Sequence, residues 1–119
     1  MSDEFLKIAT SEINDEISEI SKILNSCSND EEVHHKSKDL QSHTHKIKGL
    51  APMMGKEELG SVCAMLDMVM KKINEGDKVE GILDILSDSL PFMVHSMNVP
   101  GFDMKPILEK ITHFSSSVK

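Results

Sequence analysis

The sequence predicts an all-α protein: four long helices in an up-down-up-down bundle, with a short fifth helix appended. Three observations carry this. Helix formers are abundant and strand formers sparse, with no Trp or Tyr and four Phe among 119 residues. Apolar residues recur at spacings of three and four through most of the chain. The breaks between these stretches are short, which makes successive helices antiparallel neighbours.

The first helix is expected over about residues 3–24, with Ser2 as its N-cap and Phe5, Ile8, Ile13, Ile17, Ile20 and Leu24 on its apolar face. Asn25 to Asn29 reads as a turn. A second helix, over about 30–54, opens on Asp30 as N-cap and buries Val33, Leu40, Thr44, Ile47 and Ala51. Pro52 is expected to bend it, and Gly55 to close it. The third helix, over about 56–75, has the clearest amphipathic pattern, in Leu59, Val62, Leu66, Val69 and Ile73, and ends at Gly76. Asp77 and Glu80 read as a capping box opening a fourth helix over about 78–98. Its face carries Val79, Ile82, Leu83, Leu86, Leu90, Met93 and Met97, and Pro91 is expected to kink or break it. After a turn at Val99 to Gly101, a fifth helix runs over about 104–114 with Pro106 in its first turn, followed by a ragged serine tail at Ser115 to Ser117.

The length suits one domain. Thirteen Lys and Arg against 20 Asp and Glu give a net charge of −7, which argues against nucleic acid, where phosphate neutralisation dominates binding. No apolar run approaches the roughly 18 residues of a membrane span, and no signal peptide opens the chain. Cys27 and Cys63 form no CxxC pair and read as reduced thiols of a cytoplasmic protein, Cys63 in the core. No P-loop or Gly-rich nucleotide fingerprint is present, so the chain is not expected to bind ATP or to be an enzyme in its own right.

The stretch that carries chemistry is His45-Lys46-Ile47-Lys48-Gly49, continuing to Gly55. At about 100° per residue, Leu40, Thr44, Ile47 and Ala51 share one side and His45 lies nearly opposite, facing solvent. Lys48 and Gly49 fall beside it, three and four positions on. A neutral imidazole is a good nucleophile near neutral pH, and a neighbouring ammonium can neutralise a phosphoryl group bound to it. Glycine inside a helix costs about 1 kcal/mol relative to alanine, which makes sense where something bulky must approach. Spacing alone leaves the plain alternative open, that these are an ordinary surface His, a solvated Lys and a glycine at a helix crossing. Six His residues invite a metal reading. Glu31-x-x-His34 and Glu32-x-x-His35 have the spacing of di-iron bundles but lack a second such motif. His43 and His45 point about 200° apart on a helix. No metal site is expected, and the Met-rich stretch (Met65, Met68, Met70, Met93, Met97) reads as packing.

His45-x-Ile47-Lys48-Gly49, then small residues, then Met53-Met54-Gly55, resembles the phosphorylation-site helix of histidine-containing phosphotransfer domains. The resemblance is strongest to the N-terminal domain of chemotaxis-type histidine kinases. It implies a phosphohistidine exposed on the second helix of a bundle: His45 as phosphoacceptor, Lys48 as the neighbouring cation and Gly49 as the access position. Lys46, Gln41 and Ser42 join Gly49 on the implied docking face. The family usually carries His and Glu, three apart, on the third helix; here those positions are Ala64 and Asp67, leaving Asp67 to orient the imidazole with a shorter reach. The implied activity is that of a monomeric phosphorelay carrier without a cofactor of its own. It would exchange a phosphoryl group between a histidine kinase catalytic domain and a response-regulator receiver domain, which supply ATP and Mg²⁺. The rival expectation is an unphosphorylated helical module that only docks such partners.

Overall fold

The computed structural model describes residues 2–118 and is all-helical. Among the described residues the α-helices are α1 (Asp3–Asn25), α2 (Asp30–His35), α3 (Ser37–Leu50), α4 (Glu57–Asn74), α5 (Ile82–Asn98) and α6 (Lys105–Ser116), with a 3₁₀ turn at Pro52–Met54. Helix α3 packs most extensively on α4; α1 lies against α3 and α5, and α6 against α4 and α5. The core contains most of the apolar stripes expected from periodicity, while Phe5, Leu83, Leu90 and Met97 are only half-buried and Ile85, Ile107 and Ile111 join it. Ile13, Ile17, Ile20, Leu40, Ile47, Leu59, Leu66, Ile82, Leu86 and Met93 are all buried, as is Cys63. Ile8, on α1, is exposed. None of the described helices is long and apolar enough to cross a membrane.

Four local expectations are corrected. The helix expected over about 30–54 is two helices, divided at Lys36, whose ψ of 8° leaves the helical range. The two pieces serve different neighbours: α2 packs on α5, whereas α3 packs on α4 and α1. Helix α3 then stops at Leu50, because Pro52 has no N–H for the Lys48 carbonyl and its ring crowds that carbonyl. The chain tightens into the 3₁₀ turn and closes on Gly55, whose φ of 79° is the left-handed conformation a helix stop requires.

The second correction concerns caps. Asn29, not Asp30, caps α2, its side chain accepting from the Glu32 N–H at 2.9 Å. Asp30 instead reaches across to the start of α5, accepting from Gly81 N–H at 2.8 Å and Leu83 N–H at 2.9 Å. The Asp77–Glu80 capping box is not formed: α5 begins at Ile82, after Gly81 turns through a φ of 85°. His34 adds a second tie, accepting from the Val79 N–H at 3.2 Å. The third correction is that α5 runs unbroken through Pro91. The fourth is that Ser115 and Ser116 belong to α6 rather than to a ragged tail. Ser2 does cap α1, accepting from Phe5 N–H.

Burial raises the Asp30 carboxyl, but the Leu83 and Gly81 N–H donors and nearby His34 outweigh it and leave its pKa below the ordinary value. A carboxylate with a lowered folded pKa stabilises above its unfolded value and loses that contribution as pH falls through the folded value. Asp30→Ala is expected to lose about 1–2 kcal/mol at pH 7, the range of a lost cap. In urea denaturation, the gap from wild type closes as pH falls below about 3.9 and through the lower folded value. A gap that persists undiminished at low pH would refute the cross-helix cap.

Candidate functional site

The α3–α4 seam sets the site. The two helices run antiparallel: Ser37, at the start of α3, meets Asn74 at the end of α4, and Pro52, just past α3, meets Gly60 near the start of α4. At Gly60 the approach is close, for a Cβ there would lie 2.7 Å from Pro52 Cγ. No residue larger than glycine fits without moving the helices apart. Midway along this seam His45 and Asp67 face each other.

His45 Nδ1 lies 3.4 Å from Asp67 Oδ2, with 68% of the His45 side chain exposed and only 9% of Asp67. Lys48 Nζ stands 3.6 Å from the same oxygen. The exposed imidazole therefore rests on a buried carboxylate that also holds the ammonium one turn along. Asp67 is not the solvated charge that its place beside the core stripe allows. Its other oxygen, Oδ1, is buried without a hydrogen-bond partner. Below it, Cys63 is fully buried, and burial first, then the Asp67 carboxylate, push its thiol far above the ordinary range. Cys63 is thus an inert core group.

Gly49 lies on the outer face, and a Cβ there would meet nothing within 4 Å. Open space, not a crowded crossing, surrounds it. Ala64, where the resembled family carries His, is half-buried. Ser42 and Lys46 are exposed and Gln41 half-buried, so the expected docking residues do share this face or its edge. Lys46, however, leans toward α1, its Nζ 3.7 Å from Glu16 Oε2.

That contact belongs to a second constellation the sequence reading missed. His43 Nδ1 lies 2.6 Å from Glu16 Oε1, with the two side chains 18% and 10% exposed. His43–Glu16–Lys46 on the α1 side mirrors His45–Asp67–Lys48 on the α4 side, because the two His point to opposite flanks of α3. Burial separates them: His43 is enclosed and ties α1 to α3, while His45 is open. The signal was present in α1, where Glu16 interrupts the stripe of Ile13, Ile17 and Ile20 at core spacing.

Among the described residues no three His, Cys, Asp or Glu side chains converge as a metal site. Of the two Glu-x-x-His pairs, His34 is turned to Val79, and His35 rests against Glu31. Comparison with family models, curated proteins and solved structures finds no match.

Asp67→Ala is expected to leave stability within about 1 kcal/mol of wild type, because the buried unpaired oxygen it removes costs about 1–3 kcal/mol. The same change frees the His45 ring. Nitrogen-15 spectra of the imidazole are expected to show less of the tautomer protonated at Nδ1. A large stability loss with an unchanged tautomer would make Asp67 a structural residue instead.

Proposed function

We propose that the chain is a phosphoryl carrier of the histidine phosphotransfer type, with His45 as the acceptor and the four long helices α1, α3, α4 and α5 arranged as an up-down-up-down bundle. One observation carries the reading: His45 presents an open ring whose Nδ1 faces a buried carboxylate, with Lys48 on the same oxygen. A proton on Nδ1 donated to Asp67 leaves the Nε2 lone pair directed outward. Nε2 attacks phosphorus, the donor's bond to phosphorus breaks, and the donor leaves with that electron pair. The ring keeps its Nδ1 proton and becomes positive, and Asp67 stabilises that charge. The 3.4 Å contact is long for the resting pair and shortens as the charge develops. Lys48 turns from Asp67 to the phosphoryl oxygens. The reverse sequence hands the group to an aspartate of a receiver domain. Kinase and receiver partners supply ATP and Mg²⁺, and with them most of the charge stabilisation phosphoryl transfer needs.

Histidine is phosphorylated directly by phosphoramidate, and by a kinase domain with ATP and Mg²⁺. Acid-labile phosphate on His45, located by mass spectrometry, is the expected product, and His45→Gln abolishes it without unfolding the chain, since an exposed residue contributes little to stability. Absence of phosphate from wild type, with binding to a receiver domain retained, would favour the pure docking module. Asp67→Ala is expected to slow phosphorylation about ten- to a hundredfold, or about 1.4–2.7 kcal/mol at the transition state.

Gly49 separates chemistry from docking. Gly49→Gln is expected to match or exceed wild type in thermal stability, by up to about 1 kcal/mol. Its added side chain projects into open solvent beside His45, so transfer to and from protein partners slows while phosphorylation by the small donor does not. Equal slowing with both donors would show damage to the reacting groups rather than an access position.

A further inference from the structure

A second polar cluster lies on the same seam, one to two turns before His45. Ser37 Oγ donates to Asn74 Oδ1 at 2.5 Å, and Asn74 Nδ2 donates to Gln41 Oε1 at 2.5 Å. Ser37 is buried, and Asn74 Oδ1 is the one acceptor its hydroxyl finds among the described residues. The direction of this donation fixes the Asn74 amide, and the Asn74 amide fixes that of Gln41. The carbonyl end of Gln41 is therefore occupied, and its –NH₂ end has no partner among the described residues. Gln41 and His45 line one groove, together with Lys38, Ser42 and Asn74.

Helix geometry places Gln41 and His45 side by side on this groove. Gln41 is four residues before His45, so the two Cβ atoms are about 5–6 Å apart on one face. Helical side chains lean toward the N-terminus, which lays the His45 ring over the turn that holds Gln41 and Ser42. Nδ1 faces Asp67 on α4, which leaves Nε2 as the ring nitrogen free to take a phosphoryl group. Lys48 flanks the ring from the opposite end, three residues on.

We infer that Gln41 is a phosphoryl-binding residue: its Nε2–H donates to an oxygen of the phosphoryl group on His45 Nε2, and Asn74 is the positioning residue that holds the amide in that orientation. This rests on the carrier reading and adds a ligand to it. The phosphoryl dianion has three strong acceptor oxygens. Lys48 neutralises from one end of the ring and Gln41 supplies a neutral, directional donor from the other. Such preorganised donors favour the transition state because they need no reorientation as charge moves onto the transferred group.

Phosphoramidate tests this without a protein partner. His45 Nε2 bonds to phosphorus, the P–N bond of the donor breaks, and ammonia leaves with its electron pair. Rates are read by phosphorus-31 signals, with far-ultraviolet circular dichroism as the folding control. Gln41→Met keeps the length and removes the donor; phosphorylation is expected to slow about tenfold, as for a lost hydrogen bond to a charged group. Gln41→Glu places an acceptor charge against the dianion and is expected to be slower still, by about a hundredfold from wild type. Asn74→Ala leaves the Gln41 amide free to turn, with a loss of about threefold. In the wild-type phosphoprotein, the Gln41 side-chain amide signal is expected to shift downfield, and in His45→Gln treated alike it does not move. Wild-type phosphorylation with an unaltered rate in Gln41→Met overturns the assignment while leaving the carrier reading intact. So does a Gln41→Glu rate equal to that of Gln41→Met, or an effect seen only with a protein donor. Failure of wild type to take up phosphate overturns both readings together.

Discussion

The seam between α3 and α4 is the constraint from which the site follows. At one end Gly60 admits the ring of Pro52, a contact that any Cβ would push apart. At the other, Ser37, Asn74 and Gln41 lock the helices through directed hydrogen bonds. Held at both ends, the helices come close enough at the middle for an aspartate to reach the imidazole. A glutamate could bridge a wider gap with its extra methylene, so the short acid and the tight seam belong together. Pro52 thus serves twice, ending α3 by its missing N–H and filling the space over Gly60.

The two histidine constellations show how burial sorts similar chemistry. His43 and Glu16 meet at 2.6 Å with little solvent on either side, and Lys46 closes over the pair. Deleting Glu16 would remove the acceptor of both the enclosed imidazole and the Lys46 ammonium and loosen α1 from α3. His45 and Asp67 meet at 3.4 Å, with the imidazole mostly in water. The first pair is built to bind α1 to α3. The second meets an open ring at longer range, and its physical consequence is the orientation of that ring.

What the sequence made legible was whatever depends on period. Every residue expected on the stripes over about 30–54 and 56–75 is buried, from Val33 to Ile73. The outward turn of His45 and the opposite turn of His43 followed from the same 100° arithmetic. What was not legible depends on contacts between segments distant in sequence. Asp30 looked like a local cap and instead caps α5, some fifty residues on, because the chain has already turned α2 toward that helix. The division at Lys36 arises because α2 and α3 answer to different neighbours, and no local residue announces it. Asn74 and Gln41 are each unremarkable surface amides in sequence, and only the antiparallel register of α3 and α4 brings them together. Glu16 was legible in principle, as a charge at a core position of α1, but its partner on α3 was not.

Asp67 Oδ1 completes the physical picture of the seam. A carboxylate oxygen buried without a partner costs about 1–3 kcal/mol, and Asp67 Oδ1 is such an oxygen among the described residues. Here the paired oxygen is shared by an imidazole and an ammonium, both more exposed than itself. In the proposed reaction the ammonium departs to the phosphoryl group just as the imidazole gains charge. Asp67 then exchanges half of its interaction with one cation for a stronger one with the other, so its burial is never left without a counter-charge. A neutral side chain at this position would release the strain of Oδ1 and lose that exchange. The resting strain and the proposed role in charge transfer are then two aspects of one arrangement, fixed by the distance at which α4 is held from α3.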